Sequence, residues 1–222
     1  MRLDLRNTGK MDARDIILDG AAKLFKQKGL KSVTMDELAK SLGMSKRTIY
    51  ENFKDKDELI ETCLLKFSTD GLARRSKILD SNSNVYEVMY QFALLQHDET
   101  NGVSPVFFDD LHRYYSAMLT ELKHKSEDIS LKLLKRLFTT GIEGRYFRDD
   151  TNIEVASLLL DRLFEFAIKL IDDYHIQPCE MYRSVFLPFF RGISTDEGLR
   201  ELDKVNEKMC THKNNDNTIK FL

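Results

Sequence analysis

The sequence predicts an all-α fold. A small three-helix head containing a helix-turn-helix is joined by a long helix to a larger C-terminal helical body. Three observations predict it. Apolar residues recur at helical spacing through most of the 222 residues, with only three prolines and ten glycines, and no stretch alternates as a half-buried strand does. Residues 33–56, VTMDELAKSLGMSKRTIYENFKDK, hold two short helical patterns joined by a tight turn. Residues 153–193 are richer in apolar side chains than one buried helix face requires.

Taken in order, residues 1–10 read as a flexible arm carrying Arg2, Arg6 and Lys10. The first helix is expected from about Asp12 to Lys28, with Ile16, Ile17, Ala21, Leu24 and Phe25 on its apolar face and Gly29 ending it. Gly20 inside it points to a close contact. The second helix opens with a capping box, Thr34 with Glu37, ahead of Met35, Leu38, Ala39 and Leu42. Gly43 supplies the positive φ of the turn. Ser45 caps the third helix, whose inward positions would be Ile49, Tyr50 and Phe53. Lys46, Arg47 and Thr48 fill its first turn, where a helix lying in the major groove presents side chains to base edges.

Asp55 and Glu58 form a second capping pair for a long fourth helix from about Lys56 to Asp80, and 81–84 read as a turn. Further helices are expected at about Val85–His97, Pro105–His124, Ser126–Thr140, Ile153–His175 and Met181–Ile193, with Pro188 kinking or dividing the last. The tail 211–222 reads as frayed. The expected division is therefore an arm (1–10), a head (11–56), a body (57–210) and a tail (211–222).

Charge separates these regions. Residues 1–60 carry 13 Lys and Arg against 10 Asp and Glu, whereas the remainder carries 21 against 26. A mildly basic head on an acidic body suits a small DNA-reading domain used in pairs, because one head alone has little excess charge. No apolar run approaches the roughly 20 residues of a membrane span. The N-terminus lacks a signal-peptide pattern, and three cysteines at unpaired spacing fit reduced thiols, so a cytoplasmic protein is expected. No phosphate loop, nucleophile motif or cysteine–histidine cluster is present, and no cofactor is expected.

The run from Val33 to Lys56 resembles the DNA-binding segment of TetR-type transcriptional repressors. Thr34, Leu38, Ala39, Gly43, Ser45, Thr48, Ile49, Tyr50, Phe53, Lys56 and Leu59 carry the resemblance. The DNA-facing set is Thr34, Ser45, Lys46, Arg47, Thr48, Tyr50, Asn52, Lys54 and Lys56. Arg47 is the candidate for base readout, since arginine pairs bidentately with guanine. Thr34, Thr48, Tyr50 and Lys56 are the candidates for phosphate. In Tyr50 the ring would pack inside while its hydroxyl reaches the backbone.

In the body, Tyr90, His97, Phe108, His112, Tyr115, Met118, Phe138 and Phe164 are ordinary core at helical spacing, or equally the lining of an apolar cavity with polar handles. The resemblance favours the cavity and a small hydrophobic effector. The apolar excess on the 153–175 and 181–193 helices, with Leu159, Leu163, Phe166, Leu170, Phe186 and Phe190, predicts a four-helix homodimer interface. Three acid-x-x-His pairs, Asp109/His112, Glu121/His124 and Asp172/His175, have the spacing of a metal-binding bundle. Helical geometry turns most of them away from the apolar face. The expected protein is thus a ligand-responsive regulator that binds a palindromic double-stranded DNA operator as a homodimer. A DNA-localised helical interaction protein without effector, and a metal-dependent bundle enzyme, are the alternatives.

Overall fold

The computed structural model describes residues 12–174, 176 and 178–211. The N-terminal arm, His175 and all of the tail beyond Thr211 lie outside the described residues, and so do the side chains of Cys179 and Cys210. The elements are α1 (Ala13–Lys28), α2 (Met35–Leu42), α3 (Lys46–Asn52), α4 (Lys56–Ser81), α5 (Val85–Thr100), α6 (Pro105–Tyr114), α7 (Ser116–Glu143), α8 (Ile153–Tyr174), α9 (Pro178–Met181), a π-helical turn (Tyr182–Phe186), α10 (Leu187–Ile193) and α11 (Asp196–Thr211). Among the described residues the only extended pairing is a single antiparallel bridge between Phe147 and Ser194.

The chain divides into two compact units. The first comprises residues 1–69 with 102–125, and the second 70–101 with 126–222. This division differs from the expected boundary at 56/57. Phe107 and Leu111 of α6 and Leu122 of α7 belong to the same buried cluster as Ile17, Phe25, Leu38, Ile49, Phe53 and Leu59. Two segments distant in sequence thus close one core, which no local pattern reports. Both α4 and α7 contribute residues to each unit.

Local chemistry explains the head. Thr34 Oγ1 accepts from the Glu37 backbone N–H at 3.1 Å and caps α2. The capping box is only half made, because the Glu37 carboxylate pairs with Lys28 instead. That ion pair holds the Glu37 carboxyl below the usual range. Gly43 closes α2 at φ 66°, the left-handed region glycine enters at no steric cost. Gly20 explains itself: a Cβ there would overlap Leu42, so the missing side chain lets α1 and α2 cross closely.

The body departs from the sequence expectation in three places. The helix expected over 105–124 breaks at Tyr115, and the break expected near Lys125 is absent. No glycine or proline marks Tyr115. Its half-buried ring and its hydrogen bond to Asp57 are tertiary contacts that periodicity does not report. The polar run 121–128 reads as a boundary, but it is mostly an exposed face of α7 and contains good helix formers. Ahead of Pro188 the chain widens into the π-helical turn, which accommodates a residue with no N–H to give. The third departure is α11, which was not expected. Thr195 Oγ1 caps it by accepting from Gly198 N–H at 3.0 Å, and Leu202 and Val205 are buried. Its signal was present: a Thr cap, an acidic first turn, and Leu199, Leu202 and Val205 three residues apart.

Candidate nucleic-acid interface

The residues expected to face DNA all lie in the first unit. Helix α3 buries Ile49, and Phe53 is buried just beyond its end. Its outer side presents Lys46, Arg47, Tyr50 and Glu51, all exposed. Ser45 caps the helix: its Oγ accepts from Thr48 N–H at 3.1 Å and lies 2.9 Å from Thr48 Oγ1. Capping uses an acceptor lone pair, so the Thr34 hydroxyl keeps a proton to donate outward. Asn52 Nδ2 donates to the Thr48 carbonyl at 2.8 Å, which ties this expected contact residue to its own helix. Lys54 is exposed in the connection to α4.

Tyr50 corrects the expectation. It is 51% exposed rather than packed inside, so about half of the residue is open to solvent. Lys56 is more committed than a solvated lysine. Its Nζ donates to the Lys31 carbonyl at 2.9 Å, and partial burial pushes its pKa down.

Two residues that sequence reasoning passed over hold this surface. The Arg14 guanidinium lies 4.1 Å above the Phe53 ring, donates to the Asn52 carbonyl at the end of α3, and pairs with Glu58 at 3.4 Å. One side chain of α1 thereby fixes the end of α3 and the start of α4. The buried Asp110 of α6 accepts from Lys31 N–H at 2.7 Å. It therefore holds the α1–α2 connection, to whose Lys31 carbonyl Lys56 also donates. The signal for Arg14 was a lone cation on a face otherwise closing over the core. For Asp110 no local signal exists, because its partner is 79 residues away.

This geometry is a helix-turn-helix with a polar, partly cationic reading face, and residues 17–63 match the family described as bacterial regulatory proteins, tetR family. Residues 17–63 are a TetR-type helix-turn-helix segment. The TetR-type segment thus covers most of α1, all of α2 and α3, and the opening of α4. Over 156 residues the chain is 26% identical to the HTH-type transcriptional repressor KstR2 of Mycobacterium tuberculosis, covering 68% of this chain and 77% of that protein. It is 25% identical over 169 residues to the uncharacterized HTH-type transcriptional regulator YhgD of Bacillus subtilis, covering 75% and 86%. Among solved structures, a TetR-family regulator from Cytophaga hutchinsonii superposes with a TM-score of 0.62 at 17% identity, covering 85% of this chain and all of that one. That likeness speaks for the fold. No helix among the described residues is long and apolar enough to cross a membrane.

The residues expected to line an effector pocket are divided between the units. Phe108, Tyr115 and Met118 pack against the head's cluster, and His112 is exposed. Tyr90 and Phe138 are buried in the second unit's cluster, His97 is half-buried, and Phe164 lies at the rim with its ring 4.9 Å from Phe186. Phe138 packs at 5.6 Å on Phe147 as solid core. A recess of about 250 Å³ in the second unit, between the start of α8 and α10, contains none of these eight. Asp109, Glu121 and His124 of the acid-x-x-His pairs are exposed, as His112 is.

The expected dimer set also divides. Leu159 and Phe166 are exposed on α8, and Leu163 and Leu170 are half-buried. Phe186 and Phe190 are corrected: both are buried within one chain, Phe190 stacked on Phe147 at 6.3 Å. Side chains consumed by the chain's own core are not available to a partner.

Proposed function

We propose that the chain is a ligand-responsive repressor that binds a palindromic operator as a homodimer. The observation that carries the dimer is the outer stripe of α8. Val155, Leu158, Leu159 and Phe166 are all exposed and lie within about 100° of one another around the helix, with Arg162 among them. An apolar stripe of this kind on a protein surface marks an interaction site, and a self-complementary pairing about a two-fold axis is the commonest closure. A two-fold dimer presents two α3 helices to half-sites about 34–36 Å apart. It also doubles a small basic excess, which one head alone does not make into strong binding.

An effector is supported by polar atoms stranded in the body. Ser157 is fully buried on α8 and its Oγ has no hydrogen-bond partner, and one turn later Asp161 Oδ2 is buried with no hydrogen bond and only the Arg162 guanidinium 3.7 Å away. Buried polar atoms without partners are uncommon and costly, and a ligand bearing a hydroxyl or amino donor would satisfy them. Such a ligand releases DNA only to the extent that it binds the two states of the regulator unequally. Helix α4 contributes to the cores of both units and is the covalent route for that coupling. The test is selection of bound fragments from the genome of the source organism, repeated with cell extract. Recovery of one palindromic site, released by extract, is expected. Recovery of non-palindromic fragments, or binding indifferent to extract, would overturn the homodimer and the effector readings respectively.

A further inference from the structure

The face of α3 that points away from the core carries an acid. With 100° per residue, the direction opposite buried Ile49 falls midway between Arg47 and Glu51. Both are highly exposed, at 87% and 57% of their side chains, and Arg47 Nε donates to Glu51 Oε1 at 2.7 Å. Beside them Lys46 is paired with Asp36 of α2. The centre of the reading face therefore has no net charge from these four side chains, although its target is a polyanion.

A carboxylate there is unfavourable against phosphate and has acceptors only. The donors duplex DNA offers it in the major groove are the exocyclic amino groups of the bases, and the pairing that fits a carboxylate is cytosine N4. Resting on the reading of α3 as the helix that enters the groove, we infer that Glu51 is a specificity-determining residue. It accepts a hydrogen bond from a cytosine amino group while holding the Arg47 guanidinium against the neighbouring base edge. Its charge keeps the head off DNA that lacks that cytosine. A phosphate contact rewards every sequence equally, whereas this acid penalises most of them.

The test begins with duplexes selected from a random-sequence pool by the full chain. Dissociation constants for a selected and a scrambled duplex are then measured over a salt series for the parent, Glu51→Ala and Glu51→Gln. Glu51→Ala is expected to bind the scrambled duplex more tightly and to lower the scrambled-to-selected ratio about tenfold or more, with one cytosine preference per half-site lost on reselection. Glu51→Gln should move that preference toward adenine, which an amide pairs with. A ratio and a selected sequence identical to the parent's, with only the thermal midpoint shifted, would reduce the pair to a helix-stabilising contact and overturn the inference. A parent that enriches no duplex would overturn the DNA-reading assignment of α3 as well.

Discussion

Arg47 reaches outward from the first turn of α3, and its removal should be felt at one base position. Arg47→Ala is expected to cost about 1–3 kcal/mol on the selected operator and to relax preference there, measured by titrating single-base operator variants. Lys56 acts differently. Because its Nζ also holds the Lys31 carbonyl, Lys56→Ala should weaken binding to all duplexes alike and flatten the salt slope by about one. It should also lower the thermal midpoint, which distinguishes it from a purely phosphate-contacting lysine. Cys63 makes a prediction about chemistry. Burial pushes its thiol up to about 12, so the neutral form persists far above physiological pH. Since the thiolate is the nucleophile, Cys63 should resist alkylation at pH 8 in the folded protein and react once denatured, followed by peptide mapping. Identities at this scale were legible in the sequence where the partner is local: Thr34, Ser45 and Gly43 behave as their residue types require. Tyr50 was misplaced because a ring beside Ile49 has the same pattern whether it turns in or out. Arg14 and Asp110 were invisible because their partners are 38 and 79 residues away.

Whole elements show where periodicity holds and where it fails. Helices α1 to α4 lie close to their expected ends because caps, glycines and apolar stripes agree there. The shift of the α6–α7 break from Lys125 to Tyr115, and the unexpected α11, arise where those signals are weak. Helix α11 is held by its close approach to the 144–147 loop. A Cβ on Gly198 would overlap the Tyr146 carbonyl oxygen, which is backbone and cannot rotate away. Gly198→Ala should therefore displace α11 and cost about 1–3 kcal/mol, read from denaturant unfolding with helicity followed by circular dichroism. Retained stability would mean that the loop gives way more easily than the packing implies.

At the scale of the molecule the prediction concerns assembly. If the outer stripe of α8 joins two copies, Phe166→Asp places a charge on its largest exposed side chain and should yield a folded monomer. The mass would be read by light scattering, and operator binding should fall with it because two half-sites need two heads. A dimer of unchanged mass would send the interface elsewhere. The sequence by itself determined the all-α class, the helix-turn-helix and the TetR-type character of that segment, because these depend on caps, turns and spacing within a few tens of residues. Tertiary structure decided which apolar residues are spent inside one chain. Phe186 and Phe190 are core, Phe166 and Leu159 are surface, and all four look alike in sequence. It also decided that 102–125 completes the head's core rather than belonging to the body. The physical reason is the same in both cases. Helical periodicity says which face is apolar, but what covers that face is settled by segments far away along the chain.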